Sequence, residues 1–371
     1  MAGASVKGHG IVVPKTPVLA VANRFQRYKP EEEKAVRKVD VKEDEVLNRL
    51  KDTFRTLKYG KEPDGTYTTF EDNRKLAAGL AAQLGYTAAD VERFSVALVE
   101  FQDMRDFSRK AGMFLSVLIN EGKDSDYTVQ TAHLEKPNDV GSENTKNITV
   151  NGNAGDYTGH NMKGGTITVN GNAGNYLGYE MGNGSITVNG NAGDEIGRVM
   201  SGGTITVNGD AGDHVGCDIQ DRYPTTGTIV VKGNAGNQVG EKMGAGSITV
   251  EGNAGDHVGR EMRGGTITVM GNAGTGVGAS MSGGSITVGG NVRDALGLQM
   301  LAGSITVKGD AGEVCGQEMM RGSIIVEGNI GDGCGSGMWM GGEIHVGSEV
   351  RSIGGVICGK IFHKGKLIVD K

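Results

Sequence analysis

Glycine recurs along most of this chain at one fixed interval: Gly152, Gly171, Gly190, Gly209, Gly233, Gly252, Gly271, Gly290, Gly309 and Gly328 stand nineteen residues apart, with a single step of twenty-four. A period of that length marks stacked units, none of which can bury its apolar face alone. The composition leaves little alternative, because 65 glycines against 8 Phe, 9 Tyr and 1 Trp in 371 residues cannot build an ordinary aromatic-rich core.

The inside of one unit says how it folds. In Thr266-Ile267-Thr268-Val269 polar and apolar residues alternate as in a half-buried strand, with Ile and Val inward. A second short strand is expected around Val258, Val277 and Leu296, ending at a methionine that recurs as Met162, Met181, Met200, Met243, Met262, Met281, Met300, Met319 and Met338. Stacked in parallel at about 4.8 Å per coil, these columns form the core of a rod about 50 Å long. The residue after each register glycine is Asn or Asp, which can hydrogen-bond to its copy in the next coil. The expected fold is mainly β: a right-handed, single-stranded parallel β-solenoid of about eleven nineteen-residue coils over 144–359. The last coil is degenerate, with Glu343-Ile344-His345-Val346 one residue out of register, and 360–371 form a capping strand.

The first third has a different grammar. After an extended segment 1–30, residues 31–123 read as a helical domain. Apolar residues at Val36, Val39, Val46, Leu47, Leu50, Phe54 and Leu57 predict one helix across 31–58, and further helices follow at 71–84, after the capping sequence Thr87-Ala88-Ala89-Asp90, and at 106–120. Residues 124–143 hold one strand, at 127–134, and a linker with Pro137 and Gly141. The helices are expected to shield one end of the rod, where an open coil would be a sheet edge.

The spacing Gly152-x-x-Gly155-x-x-x-Gly159, repeated at Gly171, Gly174 and Gly178 and at Gly252, Gly255 and Gly259, resembles the GXGXG domain. That domain is the C-terminal β-helix of the glutamate synthase large subunit and most of the third subunit of formylmethanofuran dehydrogenase. The resemblance covers 144–358. It implies a scaffold against which catalytic domains or subunits pack, and it offers no catalytic residue to carry over.

A net charge of -6 without long like-charged blocks gives no electrostatic reason to expect nucleic acid or an anionic membrane as partner. The N-terminus shows no secretion signal, no apolar run approaches a membrane span, and four cysteines without a CxxC pair favour a reducing compartment, so a cytoplasmic protein is expected. Cys315 and Cys334 share the column of Val258 and Val277 and read as core; Cys358 reads as part of the methionine column; Cys217 is expected to be accessible. His214 and His257 share a column two coil rises apart, too far to ligate one metal, and His160, His345 and His363 read as solvated. Gly274-Thr275-Gly276-Val277-Gly278 and Gly333-Cys334-Gly335-Ser336-Gly337 lack the following helix that a phosphate site requires.

No catalytic residue, metal ligand or cofactor site is therefore expected, and no turnover by the isolated chain. The candidate interface is the insertion responsible for the longer step, with Asp218, Asp221, Arg222, Tyr223 and Pro224. The function expected is a non-catalytic scaffold subunit, in an oligomer or complex, docking redox or amide- and formyl-transfer partners along a solenoid face. Two alternatives remain open: a self-assembling structural protein, and an ice-binding or adhesive solenoid using the Thr array of Thr166 with Thr168, Thr204 with Thr206 and Thr266 with Thr268.

Overall fold

Thr266-Ile267-Thr268-Val269 alternates in the folded chain as it does in the sequence: Ile267 and Val269 are buried, Thr266 is exposed and Thr268 half-buried. The computed structural model describes residues 44–58, 60–61, 67–219 and 227–371. Segment 1–30, the apolar positions Val36 and Val39, and most of the insertion lie outside the described residues.

The solenoid has about twelve coils of about nineteen residues, one more than the glycine register suggests. The extra coil opens the stack: Asp126–Gln130 pairs in parallel with Asn147–Asn151, so Tyr127 lies over Ile148 and Val129 over Val150. Its corners contain Pro137 and lack the register glycine, which hides the repeat. Among the described residues fourteen strands follow one another in chain order in a single sheet. Neighbours pair in parallel, column on column, up to Cys358–His363, against which Lys366–Asp370 runs antiparallel. The expected one-residue shift is present, because Ser323 pairs with Glu343 and Ile324 with Ile344.

The second strand expected near Val258 does not form. His257, Gly259 and Glu261 have φ of 62°, 67° and 55°, and a left-handed residue at every other position produces a chain of turns. Val258 and Met262 still point inward and are fully buried. The left-handed residues direct their N–H groups along the rod, so His257 N donates to Thr275 O at 2.7 Å and Glu261 N to Ala279 O at 2.8 Å. Gly259 is crowded, since a Cβ there would lie 2.3 Å from Ile286 Cδ1 of the next coil and force that side chain to move.

Among the described residues four α-helices precede the coils: α1 (Glu45–Thr56), α2 (Phe70–Ala81), α3 (Ala88–Ala97) and α4 (Phe107–Glu121). Capping boxes start α2 at Thr69 with Asp72 and α3 at Thr87 with Asp90. Phe54 of α1 packs edge-on against Phe94 of α3 and Phe101, with ring centroids 5.8 and 5.2 Å away. Among the described residues no helix is long and apolar enough to cross a membrane.

Helices and coils share one hydrophobic core. Hydrogen bonds close the junction: Gln130 N donates to Ser95 Oγ of α3 at 2.8 Å, and Gly141 N donates to Ser116 Oγ of α4 at 2.8 Å. Asn138 N donates to Ser108 O at 2.9 Å, and a Cβ on Gly112 would lie only 1.6 Å from Asn138 O. The helices thus cover the first coil, whose edge would otherwise offer unpaired backbone groups to another chain.

Candidate functional site

Each coil turns through a corner built from the fifth to the eleventh residue after its register glycine. The sixth and tenth positions enter the core; the others face outward or line the gap to the next coil. The candidate interface begins at such a corner. Asp218 is left-handed at φ 55°, its N–H donates to Glu241 O at 3.0 Å, and its carboxylate lies 3.5 Å from Arg198 Nε. It is therefore tied into the corner of the rod. Asp221, Arg222, Tyr223 and Pro224 lie outside the described residues. Ile219 takes the place of methionine in the core column and is 1 % exposed, so the insertion leaves the core continuous.

Cys217, expected to be accessible, is buried at 4 % exposure. Its Sγ donates to Gln238 O at 3.3 Å and lies 3.6 Å from His214 Nδ1. Burial pushes the thiol up to about 12. His214 Nδ1 lies in turn 3.5 Å from Glu241 Oε2, which comes from the next coil in the column of Cys217. Gln238 Nε2 donates to the same oxygen at 3.1 Å, and Lys242 Nζ sits 3.7 Å from Oε1. Among the described residues, His214, Cys217 and Glu241 are the one group of three or more His, Cys, Asp or Glu side chains whose ligand atoms all come within 4.8 Å of one another. Comparing His214 only with His257 misses this group. The signal was present in the register: His214 and Cys217 stand at positions five and eight of their coil, and Glu241 at position eight of the next.

Cys315 and Cys334 lie in the core, at 1 % and 0 % exposure, and their mutual hydrogen bond raises the Cys315 thiol well above its ordinary range. Cys358 is not in the methionine column. It pairs with Trp339, one residue beyond Met338, and is half-buried. The other histidines expected to be merely solvated have partners. His345 stacks on Phe362 at 4.4 Å, His160 lies 3.8 Å from Glu180, and His363 bonds Ser348 O.

Two further features were not anticipated. Tyr157 and Tyr176 stack in successive coils at 4.6 Å with rings 1° from parallel, and Tyr179 stands edge-on to both. Farther along, Leu301, Met320 and Trp339 occupy the eleventh position of three successive coils. Leu301 is 41 % and Trp339 46 % exposed, and with Ser280, Gln299 and Glu318 the strip lines a depression of about 280 Å³. Gln299 Nε2 donates to Glu318 Oε2 at 2.9 Å along the polar wall. Earlier coils place Lys163, Ser201, Arg263 and Ser282 at the eleventh position, so the apolar strip belongs to this part of the rod.

Residues 166–297 match the family model described as GXGXG motif, and the solenoid is of that type. No curated protein matches the chain.

Proposed function

We propose that the chain is a non-catalytic scaffold subunit whose solenoid docks the catalytic domain or subunit of a redox or amide- or formyl-transferring enzyme. The observation that carries this reading is the strip of Leu301, Met320 and Trp339. It stacks three large apolar side chains on the outside of a rod whose preceding coils put charged, polar or small residues at that position. Trp and Met are enriched in the buried centres of interfaces. Trp339 is the single tryptophan of the chain. The GXGXG match over 166–297 supports the same direction, because the resemblance to the domain of glutamate synthase and formylmethanofuran dehydrogenase implies a packing surface.

The test is isolation of the tagged full chain from its native source, beside a Leu301→Ser, Met320→Ser variant that restores the residue of Ser282 and Ser201. The reading expects a catalytic partner in fixed ratio with the parent chain, a blue shift of Trp339 fluorescence in the complex, and loss of both in the variant with the circular dichroism unchanged. A partner retained by the variant, or parent chains that assemble only with themselves, would overturn it, the second result favouring the self-assembling alternative.

A further inference from the structure

We propose that His214, Cys217 and Glu241 form a binding site for one zinc-class divalent cation, held by His214 Nδ1, Cys217 Sγ and a carboxylate oxygen of Glu241, at the corner from which the insertion departs. The geometry comes first. Zinc bonds of about 2.3 Å to sulfur and about 2.0–2.2 Å to nitrogen and oxygen, arranged tetrahedrally, separate the ligand atoms by about 3.3–3.6 Å. Here Sγ and Nδ1 are 3.6 Å apart, Nδ1 and Oε2 are 3.5 Å apart, and all the ligand atoms fall within 4.8 Å. A cation seated among them would replace the direct His214–Glu241 contact and leave its fourth position to water, on the side where His214 remains 36 % exposed.

The placement of the cysteine argues against simple core packing. The eighth position is mixed: it carries Arg198, Glu241, Arg260 and Gln317, all at least partly exposed, beside a buried Ala279 and a half-buried Leu298, so it is not one of the uniformly aliphatic columns in which a thiol stands in for valine. The fifth and eighth positions elsewhere pair Glu195 with Arg198, Gln238 with Glu241 and His257 with Arg260. The coil of Cys217 alone combines imidazole and thiol there, and the next coil brings the carboxylate. Sulfur with imidazole selects zinc, cobalt or cadmium over magnesium and calcium, which prefer all-oxygen sites. Gln238 supplies the outer support, donating to Glu241 Oε2 through its side chain and accepting the thiol through its carbonyl. On binding, the S–H bond breaks, its proton passes to solvent, and the sulfur electron pair forms the bond to the metal.

The test uses the reduced full chain, stripped with a chelator and titrated with Co²⁺ as the probe. Saturation is expected at one equivalent, with a thiolate-to-cobalt charge-transfer band in the near ultraviolet, visible bands of tetrahedral intensity, and displacement by Zn²⁺. Cys217→Ala should abolish the charge-transfer band, and His214→Gln and Glu241→Gln should each weaken affinity about tenfold or more. All three substitutions install residues already present in the same columns, at Ala279, Gln238 and Gln317, so the coils should fold. If Cys217→Ala melts early, the half-exposed His214→Gln decides alone. Absence of a saturable band, a band that survives Cys217→Ala, or unchanged affinity in His214→Gln would overturn the site, and none of these outcomes bears on docking at the Trp339 strip.

Discussion

The side-chain oxygen of Asn253 accepts the backbone N–H of Asn272 in the next coil at 2.8 Å. Asn272 does the same for Asn291, and Asn291 for Asp310, each at 2.8 Å. The recurring Asn or Asp is therefore an acceptor for a corner N–H that the parallel sheet does not reach. Asp310 serves Asn329 equally well at 2.7 Å. Asn272→Asp should consequently be close to neutral, whereas Asn272→Ala, which strips the acceptor from Asn291 N, should cost about 1 kcal/mol in urea denaturation. Equal loss in both variants would assign the ladder to the amide nitrogen instead.

Facing within the strand sets the largest contrast available to mutation. Ile267 is 0 % exposed between Ile248 and Ile286, while Thr268 stands on the outer face. Ile267→Asp buries an unpaired carboxylate and should cost more than about 4 kcal/mol, unfolding the surrounding coils. Thr268→Asp should cost about 1 kcal/mol or less. Circular dichroism melts of the two variants decide the matter.

Gly259→Ala tests the corner. The added methyl meets Ile286 Cδ1 at 2.3 Å, and φ of 67° is unfavourable for alanine. A loss of about 1–3 kcal/mol is expected. Gly85→Ala, where no atom lies within 4 Å, should be harmless in the same denaturation assay.

Asp139 gives the junction of helices and coils a pH dependence. Burial raises its carboxyl from 3.8 to about 7, with Asp156 adding to the rise and Arg109 opposing it. Between those values the folded chain holds a proton that the unfolded chain has released, so this contribution is complete below 3.8 and is lost as pH rises through about 7. The slope is up to about 1.4 kcal/mol per pH unit. Asp139→Asn, compatible with the φ of 63°, should lack this slope and gain on the parent chain as pH rises. A difference between the two that stays constant from pH 4 to 8, followed by urea denaturation, would show the carboxylate ionised throughout by Arg109.

The nineteen-residue period by itself determined the coil, the parallel register and the inward columns of Ile, Val and Met, because identical residues stacked on one another leave a single self-consistent alignment. Helix starts at Thr87 and near Thr69 were equally legible, since a capping box is local chemistry. The opening coil at Asp126–Gln130 was not, because its corners lack the register glycine while its strand pairs as the others do. Nor was the facing of Cys217, which lies between left-handed residues at Gly216 and Asp218. Alternating signs of φ obey neither the two-residue period of a strand nor the 3.6-residue period of a helix, so while the register places these residues in their columns and repeated Val and Met mark the inward ones, a column of mixed residues such as that of Cys217 carries no sign of which way its side chain turns. Only the stacking of one coil on the next decided that Cys217 turns under His214 and that Glu241, twenty-four residues on, arrives beside both.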